Sequence, residues 1–90
     1  MWFVYILFCN QEMYYTGMTD NLERRFFQHK NKQSKFTSKF NSVELVYTEN
    51  LHTRNLAEKR EKQIKGWSKA KKKALIDGNK DLLIQLSKST

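Results

Sequence analysis

The chain has no proline, three glycines, one cysteine and two histidines, and each shortage removes a class of protein. Without proline or a Gly/Ser-rich stretch there is no linker at which to divide 90 residues, so residues 1–90 are read as a single domain. The lone Cys9 excludes an internal disulfide, and two histidines far apart in sequence give no Cys/His cluster for a structural zinc. A catalytic metal would therefore sit on oxygen ligands. The longest apolar run, MWFVYILFC at the start of the chain, falls short of the roughly 18 residues of a membrane span and lacks the basic start and small-residue cleavage site of a signal peptide. With no export signal and a lone thiol, the expected compartment is a reducing cytoplasm, with no membrane partner.

What the chain has in excess is positive charge. Its 17 Lys+Arg against 9 Asp+Glu leave a formal net charge of +8, which suggests a polyanionic partner, either nucleic acid or an anionic surface. Residues 54–73 concentrate the excess: nine basic residues stand there against only Glu58 and Glu61. Residues 30–42 add Lys30, Lys32, Lys35 and Lys39 with no acidic residue. Lys35, Lys39, Lys65, Lys69 and Lys72 are the candidate nucleic-acid contacts, with Trp67 or Phe36 available for stacking. A solvated lysine-rich helix is the plainer alternative. A membrane-lying helix is disfavoured, because 69–73 has no bulky apolar face.

The period of the apolar residues predicts the elements. Residues 2–8 are aromatic and β-branched and apolar on both faces, as in a central strand. Met13 to Gly17 forms the second arm of a hairpin, with Gly17 at its end. Asp20 with Glu23 reads as an N-cap and its reciprocal partner, starting a helix over about 20–30. Residues 30–42 are a basic loop, and Val43 to Thr48 a third strand. Thr53 or Asn55 caps a second helix ending at Gly66, a third helix runs from Ser68 to about Ile76, and Gly78 and Asn79 turn the chain. A short C-terminal helix carrying Leu82, Leu83 and Leu86 is expected to close the core. The order is ββαβααα, a mixed α+β fold.

Three constellations in this frame bear on chemistry. A three-residue loop Asn10-Gln11-Glu12 would pair Cys9 with Met13 and Leu7 with Tyr15, putting Tyr5 and Tyr15 on one face; a two-residue turn would separate them. Two core tyrosines is the plainer alternative. Arg25 follows Leu22 by three residues and precedes His29 by four, so guanidinium and imidazole share a stripe beside the helix's inner face, where Arg25 can grip a phosphate, while Arg24 points elsewhere. An ordinary solvated helix edge is the alternative there. The apolar stripe of the second helix runs through Leu56, Ala57, Ile64 and Trp67, and Glu61 borders it. A carboxylate so placed can serve a hard divalent cation or an ion pair with Lys65 or a neighbouring arginine.

These fragments align in order. Phe3-Val4-Tyr5, Tyr15-Thr16-Gly17, Asn21-Leu22-x-x-Arg25, His29, and Ala57-x-x-x-Glu61-x-x-Ile64-Lys65-Gly66-Trp67 leading to Lys72 and Leu75-Ile76 resemble the GIY-YIG nuclease superfamily. The likeness is to its small single-domain bacterial members, related to the nuclease domain of the excision-repair incision subunit. It implies a three-stranded antiparallel sheet flanked by helices and a metal-dependent endonuclease cutting phosphodiester bonds in DNA, in repair or recombination, with weak sequence specificity or a preference for a nucleic-acid shape. It also implies roles. Tyr15 would be the general base, Tyr5 would position water or phosphate, Arg25 would stabilise the transition state, and Glu61 would hold Mg²⁺ or Mn²⁺. His29 would assist, and Asn79 would support the site from a late polar position. The chain departs from the pattern at Phe3, where the motif has glycine, and after Asn79, where Lys80 and Asp81 replace the usual Pro and Trp.

Because a free tyrosine is only about 0.1% phenolate at pH 7, Tyr15 would need a lowered pKa or an onward route for its proton, and activity should rise above neutrality. RNA stays open as a substrate. Two other functions fit the same residues: a non-catalytic nucleic-acid-binding module, and an interaction subunit targeted by a protein partner or acting as a homodimer.

Overall fold

A computed structural model describes residues 1–32 and 37–88. Strands β1 (Trp2–Cys9), β2 (Met13–Thr19) and β3 (Val43–Leu51) form an antiparallel sheet in the order β2-β1-β3. Helices α1 (Leu22–Lys30), α2 (Arg54–Lys65), α3 (Lys69–Asp77) and α4 (Lys80–Lys88) complete the expected ββαβααα order. The strand that is apolar on both faces is the central one, because both faces are covered. On one face Val4 and Ile6 pack with Ala57 and Ile64 of α2 and with Trp67, Leu75 and Ile76. On the other, Tyr5, Leu7 and Cys9 pack with Leu22 and Phe26 of α1 and with Phe40, Val43 and Leu45. The sheet is thus the middle of three layers.

The hairpin register follows the three-residue loop. Cys9 pairs with Met13, Leu7 with Tyr15 and Tyr5 with Gly17, so alternation puts Tyr5 and Tyr15 on the α1 face. Asn10 and Gln11 take the left-handed conformation the turn requires, with φ of 52° and 56°. Asparagine tolerates that region, and here its side chain also works: Asn10 Oδ1 accepts from the amides of Asn41 and Ser42, which fastens the loop before β3 to the hairpin. On the opposite face Tyr47 donates to Glu49 at 2.7 Å, and Arg60 reaches the same carboxylate at 2.8 and 3.2 Å. This network ties β3 to α2. Arg60 and Lys71 both lie over the Trp67 ring, so that ring is engaged within the fold.

Four expectations are corrected. Gly17 does not end β2, which runs on to Thr19. The cap of α1 is Asn21 rather than Asp20: Asn21 Oδ1 accepts from the Arg24 amide, while Asp20 pairs with the Arg24 side chain. Leu56 is not in the buried stripe of α2, being 47% exposed, because that stripe narrows to Ala57 and Ile64. Finally, α4 does not close the core; it packs on α3 and buries none of its residues. Of the two caps offered for α2 the structure uses Thr53, and Ser68, read as the first residue of the third helix, is its cap. Among the described residues no helix is long and apolar enough to cross a membrane.

Gly17 sits inside β2 because it faces Tyr5. A Cβ built there would fall on the Tyr5 hydroxyl and within 2.6 Å of Cζ, so the phenol occupies the space a side chain would need. Gly17→Ala should therefore cost about 1–3 kcal/mol of stability through forced displacement of the ring. A shift of the urea midpoint to lower concentration checks this; an unchanged midpoint would mean the ring moves without cost.

Candidate active site

On the α1 face, four side chains from three elements converge. Tyr5 comes from the central strand, Tyr15 from the adjacent strand, and Arg25 and His29 from α1, one helical turn apart. The ring centroids of Tyr5 and Tyr15 lie 6.4 Å apart, and His29 sits 5.7 Å from the first and 5.2 Å from the second. The Tyr5 hydroxyl is 2.9 Å from His29 Nε2 and accepts from Arg25 Nε at 3.4 Å. Gln28 Oε1 accepts from Arg25 Nη1 at 3.1 Å, and His29 Nδ1 lies 2.7 Å from Thr37 Oγ1. Tyr5 is 2% exposed, and His29 and Thr37 are fully buried. The solvated-edge alternative for His29 is thereby excluded.

Burial is the leading influence on the two central groups. It pushes the Tyr5 phenol up to about 12, against the lowering effect of Arg25; the charges of Tyr15 and Glu61 push in the same upward direction. It also brings His29 down to about 4, with the neighbouring Arg25 charge adding to the effect. At neutral pH the cluster therefore holds a neutral phenol and a neutral imidazole beside a permanent cation. Arg25 is held above its usual value, chiefly by its hydrogen bond to Tyr5.

The remaining candidates are distributed around this cluster. Glu61 stands on α2, its side chain 16% exposed, with Lys65 Nζ 3.7 Å away. It reaches the cluster electrostatically, through its influence on Tyr5. Among the described residues no group of three or more His, Cys, Asp or Glu side chains gathers to hold a metal. A single carboxylate, acceptor-only and at the edge of the packed region, nevertheless fits the sparse ligation of a magnesium-type ion that keeps its waters and takes substrate phosphate as ligand. Asn79 lies apart: its Oδ1 accepts from the Leu82 amide and caps α4. Lys69 donates to the Glu12 carbonyl at 2.6 Å and lines a cleft with Lys72, Met13 and Tyr14. Lys72 is held below its usual value by burial and by nearby Lys65. Lys39 lies over the Phe40 ring, and Lys35 and Phe36 fall outside the described residues.

Sequence reasoning missed Gln28 and Thr37, and read Gly17 only as a strand end and motif glycine. Gln28 was legible as the i+3 neighbour of Arg25, and Gly17 as the strand partner of Tyr5 once the register is set. Thr37 had no signal, because nothing local tells which loop residue turns inward.

Comparison with known proteins identifies the family. The GIY-YIG catalytic domain family matches residues 1–74. A UPF0213 protein of Natronomonas pharaonis is 43% identical over 75 residues, covering 82% of this chain and 88% of that protein. Another from Desulfotalea psychrophila is 40% identical over 77 residues, covering 83% and 70%. The solution NMR structure of a UPF0213 protein from Bacillus halodurans superposes with a TM-score of 0.56 at 33% identity, covering 86% of this chain and 84% of that one. The family match spans most of the chain, and the solved relative shares the fold. The chain belongs to the GIY-YIG family, a superfamily of endonuclease domains.

His29 gives a stability test with a definite sign. Above about pH 6.5 the ring is neutral in both folded and unfolded chains and contributes no pH dependence. Between pH 6.5 and about 4 the unfolded chain binds a proton that the folded one does not, so stability falls, by about 3 kcal/mol at most. Below pH 4 this loss is complete. Urea unfolding at pH 7.5 and 4.5 should show a larger acid-induced loss in the wild type than in His29→Gln; equal losses would mean that the buried ring is not what titrates.

Proposed function

We propose that the protein is a metal-dependent endonuclease that hydrolyses phosphodiester bonds in DNA. The observation that carries this reading is the arrangement of half-buried Arg25 with buried Tyr5 and His29, in which a guanidinium is held by Tyr5 on one side and Gln28 on the other. A cation so fixed needs no reorganisation to meet charge growing on a phosphate oxygen, which is the condition for large electrostatic stabilisation. Glu61 is the residue that would hold Mg²⁺ or Mn²⁺, and a bound ion would neutralise a phosphate oxygen and the leaving alkoxide. Arg25 works on the charge that remains.

Two routes exist for the proton of the attacking water. Tyr15, half-buried where Tyr5 is buried, is the tyrosine with access to solvent and the direct candidate for the base. A specific observation favours a second route: the Tyr5 hydroxyl has a neutral imidazole nitrogen 2.9 Å away, so Tyr5 can take a proton while passing its own to His29. The two differ in pH dependence. A phenolate base gives a rate rising up to about tenfold per pH unit from 7 to 9. The pairwise transfer gives a flat profile over that range, since His29 stays unprotonated above pH about 4.

The experiment incubates wild type and Glu61→Ala with labelled single-stranded, duplex, flap and four-way DNA, each with Mg²⁺, Mn²⁺ or EDTA, and resolves products on a denaturing gel. Nicks that need metal and Glu61 are expected, and Arg25→Ala should lose about 10²–10³ in rate with the fold retained. Cleavage in EDTA, or by Glu61→Ala at the wild-type rate, would contradict the reading. Binding without cleavage in every condition, weakening steeply with salt, would assign the protein to the non-catalytic class.

A further inference from the structure

We infer that Thr37 is a positioning residue that selects the proton-bearing nitrogen of His29, and through it the direction in which the Tyr5 hydroxyl points its hydrogen. The inference builds on the reading of the cluster as a reactive centre, yet its first test is independent of activity. It starts from a counting problem among buried groups. Tyr5, His29 and Thr37 lie in a row from which water is excluded, with contacts of 2.9 Å between Tyr5 and Nε2 and 2.7 Å between Nδ1 and Thr37. A neutral imidazole has one hydrogen and one lone pair for these two contacts. If Nε2 carries the hydrogen, the Tyr5 oxygen receives donors from both His29 and Arg25, and its own acidic hydrogen is left to find another acceptor.

Arg25 cannot be that acceptor, because a guanidinium has only hydrogens to offer. The nitrogen that the geometry places to accept from the phenol is Nε2, 2.9 Å away. This requires the hydrogen to be on Nδ1, where Thr37 Oγ1 accepts it. The chain then runs in one direction: Arg25 Nε–H to Tyr5, Tyr5 O–H to His29 Nε2, and His29 Nδ1–H to Thr37. The Thr37 hydroxyl is buried too, but it turns among three staggered positions and can accept from Nδ1–H while aiming its own hydrogen elsewhere, whereas the phenol O–H keeps near its ring plane, where Arg25 offers only a donor.

Two consequences follow. With the Tyr5 hydrogen committed to His29, its oxygen turns lone pairs toward Arg25, which fixes the guanidinium plane. Nε2 is also kept as an acceptor, so His29 can receive the phenol's proton. The logic is that of any imidazole whose distal nitrogen is held by a fixed acceptor, so that the other is set as a base. Thr37 is fully buried behind His29 and acts through it.

The test has a spectroscopic and a kinetic arm. Long-range ¹H–¹⁵N correlation of the imidazoles at pH 7, with His29 distinguished from His52 by the His52→Gln variant, is expected to show a protonated Nδ1 and a bare Nε2 at His29. In Thr37→Val the signal should move toward the Nε2-protonated form or a mixture, and Thr37→Ser should restore it. On a DNA that the wild type cleaves, Thr37→Val should lower kcat by about 10- to 100-fold with KM within about twofold, and Thr37→Ser should recover most of the rate. A wild-type His29 protonated on Nε2 overturns the inference, as does a tautomer unchanged in Thr37→Val. Should Thr37→Val fail to fold, the wild-type spectrum and Thr37→Ser still decide the tautomer. If the wild type cleaves nothing, the nuclease reading fails while the tautomer result stands by itself.

Discussion

A phenol buried in the central strand must find partners for its hydroxyl, and the rest of the site is arranged around that requirement. Tyr5 is 2% exposed, and a hydroxyl removed from water without a partner costs kilocalories. Its needs explain features that otherwise look unrelated. Glycine stands opposite in β2 because the ring fills the space of a side chain. Arginine and histidine lie one turn apart on α1 because both contact one oxygen. A threonine from the following loop is turned inward because the histidine's second nitrogen also needs a partner. The conformational requirement of the fold and the geometry of the reactive centre are met by the same hydrogen bonds.

Electrostatics then divide the labour. Burial makes both Tyr5 and His29 neutral at physiological pH, so Arg25 is the permanent charge in direct contact with Tyr5. A neutral pair beside a fixed cation suits a proton that is passed rather than stored, and it leaves the cation unquenched for an incoming phosphate. Glu61 sits on α2, across the sheet from α1, near enough to influence Tyr5 and paired with the exposed Lys65. A carboxylate whose cation is a flexible, half-exposed lysine at 3.7 Å can exchange that partner for a divalent ion.

Much of this was legible in the sequence, for reasons that can be named. The strands declare themselves because the middle one is apolar on both faces, and a three-residue loop then sets the parity that unites the two tyrosines. The shared stripe of Arg25 and His29 follows from helical spacing alone. Local patterns failed where two groups competed for one role. Asp20 and Asn21 both can cap α1, and Asp20 lost because it pairs with Arg24. The leucines of α4 look like core residues, but their helix packs chiefly on α3, and Leu82 and Ile84 remain 39% and 54% exposed. The basic stretches were read as one surface, whereas several of their lysines are spoken for: Lys69 by the hairpin carbonyl, Lys71 by Trp67 and Lys73 by Asp77. Thr37 was out of reach, since an inward-turning loop residue is decided by tertiary packing alone.

The central claim is that the Tyr5 hydroxyl, rather than the ring, is what the fold preserves at its centre. The measurement that tests it most directly compares single-turnover cleavage of a labelled branched DNA in Mg²⁺ by wild type and Tyr5→Phe, with urea unfolding of both proteins alongside. The expected result is a folded variant whose cleavage is slower by about 100-fold or more. Equal cleavage rates in the two proteins would contradict the claim and reduce the cluster to a packing arrangement.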